Sequence, residues 1–130
     1  MALLIHHLDH LVLTTNDAVR CIDFYTRVLG FTVVDDRRDS GTPYLSVRRD
    51  RIRIGAVPAG QPVDHAARAW PAGPEIVLEV DDVTAERDRV VAQHWPLADD
   101  LRDRPWGLTD FRVLDPDGYF LRLTSRSPSG

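Results

Sequence analysis

From Leu8 to Thr15 apolar and polar residues alternate at the strand period, with Leu8, His10, Val12 and Thr14 on one side and Asp9, Leu11 and Leu13 on the other. Asn16 or Asp17 then offers a helix N-cap, and Val19, Ile22, Tyr25, Val28 and Leu29 recur at helical spacing until Gly30. Phe31 to Asp36, Tyr44 to Arg48 and Arg51 to Val57 read as three strands, the last two joined by a tight polar turn. Pro58, Gly60, Pro62, Pro71, Gly73 and Pro74 interrupt regular structure, leaving room for a short helical turn over His65 to Trp70. The pattern then restarts. Glu75 to Val80 predicts a strand, Asp81 or Asp82 a cap, and Val83, Val90 and Val91 the buried side of a helix. Leu97 to Leu101 predicts a weaker strand. Arg104 to Leu123 predicts a hairpin that turns at Asp115-Pro116-Asp117-Gly118, with Asp, Pro and Gly at the positions a type I turn favours.

Strand, helix and three strands therefore occur twice. Asp9 to Asp17 aligns without gaps on Pro74 to Asp82, and Arg51-Ile52-Arg53-Ile54 aligns on Phe120-Leu121-Arg122-Leu123. Two copies of this length indicate a duplicated module rather than a solenoid. The expected organisation is a single α+β domain of two paired βαβββ modules: module one over 6–58, a linker over 59–73 and module two over 74–125. One helix must cover one face of each sheet, and the apolar positions Leu11, Leu13, Ile52, Ile54, Ile76, Leu78, Leu121 and Leu123 suit that face. Alternation sends His10, Arg53, Glu75 and Arg122 to the opposite face. If the sheets curl toward each other, these four residues line a cleft.

Composition narrows the class. All 16 cations among the 130 residues are arginine, so every cation carries a planar, forked donor suited to carboxylates. The formal charge of -4 argues against a nucleic-acid partner or an anionic membrane surface. No apolar run is long enough to span a bilayer, and the lone Cys21 fits a reducing compartment, so a cytoplasmic location is expected. Cys21 itself reads as a small buried hydrophobe beside Ile22 and Tyr25, and His6-His7 as solvated terminus. No Ser-His-Asp arrangement, Cys pair or phosphate-cradling glycine loop points to a covalent nucleophile or a nucleotide.

Several of these stretches resemble the vicinal oxygen chelate superfamily, which includes glyoxalase I, extradiol dioxygenases, fosfomycin-resistance enzymes and bleomycin-resistance proteins. They are Asp9-His10-Leu11-Val12-Leu13, Asp23-Phe24-Tyr25 with Val28-Leu29-Gly30-Phe31, and Asp115-Pro116-Asp117-Gly118-Tyr119. Trp106-Gly107 before the turn is similar to the bleomycin-resistance branch. The resemblance implies a curved mixed sheet around a cleft and a homodimer, with the cleft completed within or across chains. It also implies that the metal-using members' ligand positions fall on His10, Arg53, Glu75 and Arg122. His10 matches a typical ligand there, whereas Arg122 stands where the enzymes place a glutamate. A guanidinium has no lone pair to give a metal and stays protonated.

The leading expectation is a small-molecule binding protein that works without a metal, sequestering an aromatic antibiotic or metabolite. Trp106 and Tyr44 would stack on the guest, while His10, Arg53, Glu75, Glu79 and Arg122 meet its polar groups. No cofactor is expected in that reading. The alternative is a lyase, isomerase or dioxygenase of the same superfamily. It would use a divalent metal on His10 and Glu75, or proceed metal-free with one of them as base. A third reading treats Glu75 with the two arginines as an internal ion-pair cluster, and His10 as a hydrogen-bonded cleft histidine.

Overall fold

The computed structural model describes residues 3–126. The first module runs β1 (Leu11–Thr15), α1 (Ala18–Asp23), β2 (Thr32–Asp36), β3 (Leu45–Arg49) and β4 (Ile52–Pro58). The linker holds a short helix, α2 (His65–Arg68). The second module runs β5 (Glu75–Glu79), α3 (Val83–Ala92), β6 (Asp99–Asp103), β7 (Thr109–Leu114) and β8 (Phe120–Thr124). Each module folds its own four-stranded sheet, ordered β1-β4-β3-β2 and β5-β8-β7-β6. The first strand of each pairs parallel to the last, and the other pairs are antiparallel. The duplication read from the residues is thus also a duplication of topology, and β1 and β5 are each left with one unpaired edge.

The caps form as expected. Asp17 accepts from the Arg20 amide and Asp82 from the Ala85 amide, so each module's helix starts on an aspartate. Two differences from the sequence pattern have a geometric cause. The first helix ends in a π-helical turn over Phe24–Val28, which places Cys21, Phe24, Tyr25, Val28 and Leu29 in the core and leaves Val19 exposed. In α3, Val83 and Val90 are buried seven residues apart, but Val91 lies about 100° further round the helix and is exposed.

One apolar core takes residues from both modules, including Phe24, Val47 and Ile54 from the first and Phe111, Val113 and Leu121 from the second. The modules also lock through specific contacts. The Phe24 and Trp95 rings lie 4.8 Å apart across the module boundary, with Trp95 held within module two by its indole N–H donating to the Leu114 carbonyl. The Tyr25 hydroxyl donates to Asp115 at 2.7 Å. The Asp115–Gly118 turn closes with a 3.0 Å amide-to-carbonyl bond, and Gly118 adopts φ +93. A Cβ there would meet the His65 backbone at 2.6 Å, so glycine both makes the turn and lets α2 pack on it.

Candidate binding site

The residues singled out by alternation fall on corresponding faces of the two sheets, in two groups. On the first sheet, His10 lies just ahead of β1 and Arg53 on β4. The His10 Nδ1 is 2.6 Å from Asp9 Oδ2 and 2.8 Å from the Arg53 guanidinium, which also donates to Asp9 at 2.9 Å. Nδ1 serves one of these at a time: protonated it donates to Asp9, bare it accepts from Arg53. The His10 hydrogen bond, helped by Arg53, holds the Asp9 carboxyl below the usual range. Tyr44 lies on this face too, folded over Gly55 so closely that a Cβ there would sit 2.7 Å from its hydroxyl. The Arg37 guanidinium lies over the Tyr44 ring, 5.2 Å from its centre.

On the second sheet, Glu75 opens β5 and Arg122 lies on β8, with Arg122 Nε 2.9 Å from Glu75 Oε1. The neighbouring strand β7 adds two residues that the sequence reading did not single out. Arg112 stands directly opposite Arg122 in the antiparallel ladder, and Asp110 is two positions back on the same face. Asp110 is fully buried. Arg104 donates through Nε to Asp110 Oδ1 at 2.8 Å and through Nη2 to Asp99 Oδ2 at 2.9 Å. That second bond is the main cause of a lowered Asp99 pKa. Trp106, in the loop before β7, is exposed, and the Arg122 guanidinium lies 5.9 Å from its ring. The Arg112 guanidinium lies 5.8 Å from the Phe120 ring.

This face has an unusual deficit. Among the described residues, the buried side-chain polar atoms without a hydrogen-bond partner are Asp110 Oδ2, Arg112 Nε and Arg122 Nε. All three lie on one side of β7 and β8. The Arg122 Nε approach to Glu75 is therefore an ion pair whose N–H does not aim along the contact. Buried donors and acceptors are nearly always paired in folded proteins; here the three atoms are closed off from solvent and Arg122 Nη1 lies 3.7 Å from Asp110 Oδ2, so the face is a packed charge cluster short of hydrogen bonds. Alternation alone could have flagged Asp110 and Arg112, since both break an otherwise apolar hairpin strand on the Arg122 side.

The two groups meet only in part. His10, Arg53 and Glu75 border one groove of about 340 Å³ between β1 and β5, together with Leu11, Leu13 and Ile76. Arg122 lies behind Glu75, outside that lining. Glu79, at the far end of β5, is half-exposed near Arg126 and borders a different groove.

A model of the Glyoxalase/Bleomycin resistance protein/Dioxygenase superfamily matches residues 7–123. The chain belongs to that superfamily. It is similar to a lactoylglutathione lyase of Pseudomonas putida, with 28% identity over 153 aligned positions that cover 92% of this chain and 85% of the relative. Among solved structures it is similar to an antibiotic binding protein from Streptomyces sp. CB03234, TnmS3 (22% identity, 97% and 100% coverage, TM-score 0.71). It is also similar to a protein from the mobile metagenome of V. pseudocholerae (25% identity, 98% and 99% coverage, TM-score 0.73). TioX from Micromonospora sp. ML1 shares the fold as well (23% identity, 93% and 100% coverage, TM-score 0.74).

Superfamily membership raises the question of a divalent metal, and the donor set at the expected positions does not fit one. His10, with Nδ1 facing Asp9 and Arg53, could offer only Nε2, and Glu75 is ion-paired with Arg122. Two donors flanked by two guanidiniums fall short of the three protein ligands of an open catalytic site. Among the described residues no three His, Cys, Asp or Glu side chains converge as a ligand set. No helix among them is long and apolar enough to cross a membrane.

Proposed function

We propose that this superfamily member is a metal-independent small-molecule binding protein that holds a planar guest with polar edges, of the aromatic antibiotic or metabolite kind. The observation that supports it most directly is the partly exposed Arg122 guanidinium, 5.9 Å from the exposed Trp106 ring and held by Glu75 and Asp110. The solvent-facing N–H groups of the Arg122 guanidinium would donate to acceptor groups along the guest's edge. Trp106 would stack on its face. Glu75 holds Arg122 in place, and His10, Arg53 and Tyr44 offer a corresponding polar and aromatic face on the other sheet. Glu79 is part of this reading only as a charge further along β5.

Titrating a panel of aromatic antibiotics against tryptophan fluorescence tests this. A binder in the panel should lose about tenfold in affinity on Arg122→Ala, because a buried charged hydrogen bond is removed, and less on Trp106→Ala. No saturable binder across the panel, or a binder indifferent to both substitutions, would sink the reading. The likeness to the Pseudomonas putida lactoylglutathione lyase favours a second reading, a lyase in which His10 and Glu75 carry a metal or act as base. Elemental analysis of protein purified without a His tag separates the metal-using version from the rest: a stoichiometric divalent ion lost on His10→Ala would replace the binding reading by the metal-dependent lyase.

The cleft reading includes a homodimer. Both β1 and β5 have an unpaired edge, and Val12, Ile52 and Val77 on or near them are 51%, 44% and 45% exposed. A second copy would cover this apolar strip and complete the groove between the two strands. Sedimentation equilibrium should give twice the chain mass, and Val77→Arg should shift it toward the monomer. A wild-type chain that is monomeric at high concentration would remove the dimer from the proposal.

A further inference from the structure

Arginine stands directly opposite arginine in both sheets. Arg53 on β4 pairs across the ladder with Arg48 on β3, and Arg122 on β8 pairs with Arg112 on β7. Because Arg53 aligns on Arg122, these are the same position of the duplicated module. Like charges set opposite each other in an antiparallel ladder are unfavourable, and here the arrangement is built twice. In each sheet one member is compensated. Arg53 reaches Asp9 at 2.9 Å, and Arg122 reaches Glu75 at 2.9 Å. The other member, Arg48 or Arg112, pairs with no carboxylate among the described residues.

Of these two, Arg112 has less recourse to water. Arg20, Arg48, Arg51 and Arg89, the other arginines without a carboxylate among the described residues, are all exposed. Arg112 is half-buried, and its Nε is closed off and unbonded. Carboxylates stand near it, but they are taken. Asp99, opposite Arg112 on β6, gives Oδ1 to Arg102 at 3.0 Å and Oδ2 to Arg104 at 2.9 Å. Asp110 accepts from Arg104 through Oδ1 and has Arg122 3.7 Å from Oδ2. The guanidiniums of Arg102, Arg104, Arg112 and Arg122 thus meet only the carboxylates of Glu75, Asp99 and Asp110. One positive charge is left over, and Arg112 carries it. Only Nε of its guanidinium is closed off without a partner, so the two terminal nitrogens stay open, with the Phe120 ring 5.8 Å from the guanidinium carbon.

We propose that Arg112 is the anion receptor of this face and that the guest is an aromatic carboxylate, with its charge on the Arg112 terminal nitrogens and its ring along Phe120 and Trp106. This rests on the small-molecule reading of the same face and gives the guest its charge. A carboxylate accepts parallel N–H bonds from the two terminal nitrogens and cancels the charge left between the opposed arginines. A neutral amide of the same ring cancels nothing there.

The probes are 2-naphthoate and 2-naphthamide, which share a ring system and differ by one charge. Titrated near neutral pH into the full-length chain labelled with nitrogen-15, naphthoate should give saturating amide shifts centred on residues 110–114 and 120–124. It should bind about tenfold more tightly than naphthamide. Arg112→Met keeps a long side chain without the charge and should abolish that preference. Arg112→Gln, a second variant should the first fail to fold, should do the same. Arg20→Met removes an exposed cation of α1 and should retain the preference. Equal affinities of wild type for the two probes, shifts centred elsewhere, or a preference that survives loss of the Arg112 charge would overturn the anion receptor and leave the small-molecule reading standing. If neither probe gives saturable shifts, the aromatic carboxylate is struck as the guest, and the antibiotic panel alone decides the broader reading.

Discussion

Arg68→Ala is expected to lower the unfolding free energy by about 3–5 kcal/mol, a large part of the 5–15 kcal/mol typical of a domain this size. Arg68 and Asp117 are only 6% and 4% exposed, and their charged groups lie 3.7 Å apart. The guanidinium also donates to the Asp117 carbonyl and to Thr14, so it joins the linker to both modules at once. Removing it leaves the Asp117 carboxylate buried without its cation, which costs more than the pair itself contributes. Urea denaturation checks the size of the loss. Asp117→Asn should cost less than Arg68→Ala, because an amide oxygen still accepts from the Asn16 amide. Combined with Arg68→Ala, it should recover part of the arginine's cost, the mark of coupled neighbours in a double-mutant cycle. A loss below about 1 kcal/mol for Arg68→Ala would mean that water replaces the guanidinium at little expense.

That residue also shows where reading the chain by pattern stops. The order of elements along the chain, the capping aspartates and the DPDG turn were legible because each leaves a local signature of period, N-cap chemistry or turn preference. The placement of His10, Arg53, Glu75 and Arg122 opposite the apolar face follows from alternation alone. Arg68 lies in a stretch with no period, and nothing near it in sequence announces Asp117, which is 49 positions away. The division of the four cleft positions into a His10–Arg53 group and a Glu75–Arg122 group was hidden for a similar reason. Alternation fixes which face a side chain takes, but how two sheets approach each other depends on side-chain packing between modules, such as Phe24 on Trp95. Asp110 and Arg112 were legible in principle. Their significance came only with burial, which set Asp110 between Arg104 and Arg122 and left Asp110 Oδ2 and Arg112 Nε without a hydrogen bond.

Asp115→Asn is expected to remove a stability change of about 3 kcal/mol between roughly pH 4 and pH 6. Burial between the modules pushes the Asp115 carboxyl up to about 6, with the hydrogen bonds from Tyr25 and from the Tyr119 and Asp117 amides opposing the shift. The charge of nearby Asp117 adds to it, and the same surroundings push Cys21 up to about 12. Because the folded-state pKa lies above the unfolded value of 3.8, the folded chain binds this proton more tightly than the unfolded chain. The stabilisation is complete below about pH 4 and is lost as pH rises through about 6. The surface aspartates act in the other direction and in a lower window. Asp100, held at about 2 by Arg87, and Asp9, Asp23, Asp36 and Asp99, all lowered, contribute stability above the unfolded value that is lost as pH falls below it. An asparagine at 115 keeps an oxygen for the two backbone amides that Oδ1 now accepts from, and its amide N–H meets the Tyr25 oxygen. The variant should therefore fold, match wild type near pH 4 and exceed it by pH 7. Urea titrations at a series of pH values measure the difference directly, and parallel curves for the two proteins from pH 4 to pH 7 would show that Asp115 carries no shifted proton.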